Sequence, residues 1–175
     1  MDFFFTLSGF VISHNYLDKI KNRIQFANFV KKRFYRLYPL HIMTLIVFII
    51  IELIKLFAQL YTDFNVTYLP FDSHNNFFSL IANLFLVQGF YGWSYNLPSW
   101  SISTEFYTYL VFALIVYNYI NPSRFFYLLF ILPLLFLYNM NIDFAVFANI
   151  GRTLLGFFSG SILYSPLKQA KQYSD

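Results

Sequence analysis

Six apolar runs, at residues 3–17, 37–58, 77–92, 98–120, 125–140 and 144–164, leave this chain few ways to fold. The hydrocarbon core of a bilayer is about 30 Å thick, and roughly 20 helical residues cross it. Inside it every backbone N–H and C=O must find a partner within the protein, so such runs fold as helices. The expected architecture is all-α: a polytopic transmembrane helix bundle of about five to six membrane segments. Only 11% of the residues are charged, against roughly 25% in an average soluble domain. Too little chain lies between the runs for a separate soluble domain, so residues 1–175 read as one transmembrane unit. There is no cysteine, which excludes disulfides and thiolate chemistry. The first run follows Asp2 without a basic stretch, so the start does not read as a secretory signal.

The basic residues suggest the threading. Residues 18–36 hold seven of the twelve lysines and arginines, and such residues gather in short cytoplasmic loops. Residues 18–36 are therefore expected to be a basic cytoplasmic loop and residues 59–76 an outer loop. If 77–92, which contains Asn83, Gln88 and Gly89, re-enters without crossing, Arg124, Lys168 and Lys171 fall inside, while Asp63, Asp72 and Asp143 fall outside. If it crosses, Lys168 and Lys171 land outside and Asp143 inside. The first threading is preferred, and it puts Glu105 near the outer side.

Glu105 is the costliest residue in the chain. An ionised carboxylate near the centre of a membrane helix costs roughly 2.5–3.5 kcal/mol and usually faces a protein interior or a water-filled cavity. It can serve proton transfer or orient a reacting group, or it can only tie helices together through Ser101, Ser103 or Tyr109. Arg152, eight residues into its run, also needs an acid or a polar path, and Glu105 is its first expected partner. Asp2 stands where a helix amino terminus favours a carboxylate. Glu52 and Lys55 read as an interfacial pair three residues apart. Gly156 and Gly160 form a GxxxG pair suited to close helix packing.

In KKRFYRLYPL, Arg33 and Arg36 share one helix face, and Pro39 marks the bend into the next membrane helix. The cations can simply hold the loop in the cytoplasm, each adding about 1 kcal/mol of attraction to anionic lipid. Two forked guanidiniums, with Lys31 and Lys32 beside them, also suit a phosphate-rich ligand. A serine nucleophile at Ser99, Ser101 or Ser103 is disfavoured, because His14, His41 and His74 lie in other segments with no triad pattern. Each of these histidines reads as solvated or interfacial.

Three blocks, DFFFTLSGF at 2–10, KKRFYRLYP at 31–39 and LPSWSISTEFYTYL at 97–110, with GRTLLGFFSG at 151–160, resemble in order the hallmarks of the membrane acyltransferase 3 family. The resemblance implies a multi-pass enzyme that moves an acyl group, commonly acetyl, from cytoplasmic acyl-coenzyme A to a hydroxyl of a carbohydrate or related acceptor at the outer face. A bacterial cytoplasmic membrane is the expected location. Coenzyme A esters act as donor substrate; no bound cofactor, metal or nucleic acid is expected. On this resemblance Arg33 and Arg36, with Lys32 beside them, contact the donor's phosphates. Glu105 is the acid of the Ser-Trp-Ser-x-Ser-x-Glu block. Asp2 shapes the outer site, and Arg152 is a further candidate. Family members carry a helix before the Asp-Phe-Phe block, with a basic residue followed about ten positions later by a histidine thought to be the base. They usually also continue beyond a point like Asp175. Residues 1–175 alone are therefore expected to be inactive or nearly so. A transporter or channel-like protein, with Glu105 and Arg152 lining a pathway, is the alternative.

Overall fold

The computed structural model describes residues 1–61, 69–72, 75–92, 94–119, 122–139 and 145–172, with the backbone alone at 136–139, 145 and 165–172. Among them no strand occurs, and seven α-helices follow in order: α1 (Asp2–Tyr16), α2 (Arg23–Tyr61), α3 (Phe77–Leu84), α4 (Gln88–Tyr91), α5 (Trp100–Asn118), α6 (Ser123–Asn139) and α7 (Ala145–Gln172). Three stretches, Arg23–Tyr61, Leu97–Asn118 and Val146–Tyr164, are long and apolar enough to cross a membrane. The expected all-α bundle is what the chain forms.

The basic stretch expected as a loop over 18–36 is a helix from Arg23 onward, and α2 runs for 39 residues straight through Pro39. The cause is local. Asn22 Oδ1 accepts the backbone N–H of Gln25 at 2.9 Å, and Gln25 Oε1 accepts that of Lys21 at 2.8 Å. This resembles a capping box and starts the helix early. At about 1.5 Å per residue α2 is roughly 58 Å long, so it can carry its first, basic turns beyond its apolar part.

Residues 77–92 do not form one crossing helix. α3 has eight residues, or about 12 Å, and starts at Asn76, whose side chain accepts Ser79 N–H. Leu86 then takes a positive φ of 57°, and α4 ends at Gly92 in the left-handed conformation. Glu52 holds the connection that precedes α3. Its carboxylate is only 3% exposed and accepts from Lys55 Nζ at 2.7 Å, Asn75 Nδ2 at 2.8 Å and Phe71 N at 3.0 Å. The expected pair with Lys55 is present, but the same acid also staples Phe71 and Asn75 to α2. Hydrogen bonds to charged groups contribute about 1.5–3 kcal/mol each. Glu52→Ala is therefore expected to speed hydrogen exchange at the Phe71 amide at least about tenfold, a factor worth about 1.4 kcal/mol. Unchanged exchange there would show that the staple contributes nothing.

The core is aromatic. Phe29, Tyr109, Phe112, Phe126, Phe157 and Phe158, from α2, α5, α6 and α7, are buried together. The Phe112 ring lies 5.5 Å from Phe126 and 5.7 Å from Phe157, within the range of favourable ring pairs. α1 and α7 run parallel: Asp2 meets Arg152 at one end and Phe10 meets Tyr164 further along. Between these points the helices touch backbone to backbone at Gly9 and Gly160, where a Cβ would overlap the carbonyl oxygens of Phe157 and Thr6. The GxxxG pair thus serves packing, as expected.

Candidate active site

Pro98 sits in a 3-10 turn, Leu97–Ser99, that leads into α5, and Glu105 follows in the second turn of that helix. It is 3% exposed. Its Oε1 accepts the Tyr109 hydroxyl, one helical turn on, and Ser8 Oγ of α1 at 3.1 Å. Ser8 Oγ also lies 2.7 Å from the Tyr109 hydroxyl, so acid, phenol and serine form a closed cluster. Of the partners expected from sequence, only Tyr109 binds the carboxylate. Ser101 Oγ donates to Pro98 O at 3.0 Å, and Ser103 Oγ donates to Leu86 O. Ser8 escaped the sequence reading because it lies 97 residues away.

Arg152 does not pair with Glu105. Its Nε and Nη2 donate to Asp2 Oδ1 and Oδ2 at 3.1 and 3.0 Å. The parallel register of α1 and α7 sets Arg152 level with the first turn of α1, whereas Glu105 is level with Ser8. α5 and α7 instead join through the hydroxyls of Thr104 and Thr153, 2.9 Å apart. The Asp2–Arg152 pair is open, with side chains 61% and 47% exposed, and it braces the start of α1 against α7 about two turns into that helix.

The two arginines of the basic motif occupy different surroundings. Arg36 is exposed and shares an open groove of about 510 Å³ with Asn28, Lys31, Lys32 and Tyr35. It also lines a second cleft, of about 300 Å³, whose wall includes Glu105, Ser101 and Phe4. Arg36 is thus the residue common to the cationic groove and the acid's cleft. Arg33 is 9% exposed and lines neither.

A buried polar seam connects α2, the α3–α4 region and the start of α5. His41 Nε2 lies 2.9 Å from Asn83 O, Ser94 Oγ donates to Asn83 Oδ1 at 2.9 Å, and Ser94 and Ser99 hydroxyls are 2.8 Å apart. His41, expected at an interface, is instead buried in this seam. It holds the broken helix against α2, and among the described residues no serine hydroxyl is paired with it. Residue 74 lies outside the described residues, as do residues 63 and 143.

One comparison bears on this arrangement. A family model for acyltransferase 3, described as an acyltransferase domain, matches residues 1–173. No curated protein and no solved structure matches the chain.

Proposed function

We infer the reaction from this premise: the chain belongs to the acyltransferase 3 family and is a multi-pass membrane acyltransferase. The donor is acyl-coenzyme A, commonly the acetyl ester, and the acceptor is a hydroxyl of a cell-surface carbohydrate or related molecule, in a bacterial cytoplasmic membrane. The acceptor oxygen attacks the thioester carbonyl, the C–S bond breaks, and the hydroxyl proton passes to the departing thiolate. The products are the O-acyl ester and free coenzyme A. Arg36 and Lys32, in the open groove, take the donor's phosphates, with Arg33 one turn away. Glu105 handles or orients the moving proton, and Asp2 with Arg152 shapes the end of the bundle that receives the acceptor.

The single observation carrying this reading is the position of Arg36, which borders both the cationic groove and the Glu105 cleft. A donor anchored by its phosphates in the groove thereby has its acyl end directed toward the acid. In purified protein, labelled acetyl-coenzyme A is expected to bind, and Arg36→Ala combined with Lys32→Ala to weaken it at least about tenfold, equivalent to about 1.4 kcal/mol. Equal affinity in that double variant overturns the donor assignment. A transporter with charged residues lining a pathway would show no donor binding.

A further inference from the structure

We propose that Arg33 is a positioning residue for Glu105 and not a second ligand of the donor's phosphates. Its guanidinium carbon lies 5.1, 5.4 and 5.5 Å from the ring centres of Tyr16, Phe29 and Tyr109. Those rings come from α1, α2 and α5, so three helices close one aromatic cage around one cation. Planar guanidinium packs well against ring faces, and its charge is attracted to them. A phosphate ligand needs its N–H fork turned to open space. Arg33 is only 9% exposed, its Nε has no hydrogen-bond partner among the described residues, and the groove that holds Arg36 excludes it. Spacing alone would give the two arginines one role; the packing gives them two.

Tyr109 makes the connection. One face of its ring belongs to the cage, while its hydroxyl donates to Glu105 Oε1. The ring's tilt is thus set by the cation, and the hydroxyl's aim by the ring. Ser8 completes the restraint at 2.7 Å from the same hydroxyl. The charges of Arg33 and Arg36 both act on Glu105, but only Arg33 is also in contact with Tyr109. The geometry stands on the fold alone; what the positioned acid then does rests on the acyltransferase reading.

The test uses the full chain in lipid nanodiscs. The infrared carboxyl band of Glu105 is identified as the one lost in Glu105→Gln. Arg33→Lys, which keeps the charge and loses the plane, is expected to shift that band, and the shift is expected to vanish in a Tyr109→Phe background. The shift caused by Arg36→Ala is expected to survive in the same background. Acetyl-coenzyme A affinity should stay within about twofold of wild type in Arg33→Lys and fall about tenfold or more in Arg36→Ala. The proposal is overturned if Arg33→Lys loses donor affinity as Arg36→Ala does, or if its band shift is independent of Tyr109. Should wild-type protein bind no donor at all, the reaction assignment fails, and the infrared cycle still decides the role of Arg33. Lysine is used because alanine would leave the cage empty and could unfold the protein.

Discussion

Gly160→Ala is expected to unseat α1 from α7 and leave little folded protein. The new methyl would overlap Thr6 O and lie 2.8 Å from Phe10 N, both backbone atoms of the facing helix. Backbone cannot rotate away as a side chain can, so the helices must separate along their contact. Overpacking of a well-filled core typically costs about 1–3 kcal/mol, and here the separation also stretches the Asp2–Arg152 pair and withdraws Ser8 from Glu105. A total loss of at least about 3 kcal/mol is expected by adding these effects. The measurement is the monodisperse yield and thermal midpoint in detergent, with Gly9→Ala as the reciprocal variant, since its methyl would overlap Phe157 O. Wild-type midpoints in both would show that the two helices have room to spare.

The same contact shows where the sequence was informative and where it was not. GxxxG at 156–160 announces a close approach, because two small residues four apart open one helix face. It does not announce the partner, since the matching Gly9 lies about 150 residues earlier and the pairing is tertiary. The misassigned partner of Arg152 has the same origin. Depth counted along a single run placed Arg152 near Glu105, whereas the register between two parallel helices decides the matter and favours Asp2. The basic stretch was legible in part. Arg33 and Arg36, three apart, were expected on a helix and lie on α2; where that helix starts is set by Asn22 and Gln25, and no glycine or proline interrupts the chain between Arg23 and Tyr38. Glu105 was legible because an acid in an apolar run is costly, and Tyr109 because four residues separate neighbours on a helix face. Of the aromatic cage around Arg33, Phe29 has a local signal, four residues away on the same helix, whereas Tyr16 and Tyr109 come from other helices and have none.

Glu105→Gln is expected to reduce acyl transfer by about 10²–10⁴, the range that a positioned acid or base contributes. The substitution isolates chemistry from packing. Glutamine keeps the shape, and its side-chain carbonyl oxygen still accepts from Tyr109 and Ser8, so the cluster that joins α1 to α5 stays closed. What disappears is the ability to hold or release a proton and the negative charge facing Arg36 across the shared cleft. Transfer of labelled acetyl groups to the cell surface, measured from the gene in its native context and normalised to inserted protein, gives the rate. Acetyl-coenzyme A affinity measured in parallel separates the possible roles. A large fall in transfer with donor affinity held within about threefold places Glu105 in the chemical step, because a change confined to turnover reports an interaction made in the transition state. Equal falls in both would make the acid a balance for the arginines that receive the donor. Full transfer by the glutamine variant would leave Glu105 as a tie between helices, and the search for the proton's route would move to residues other than this carboxylate.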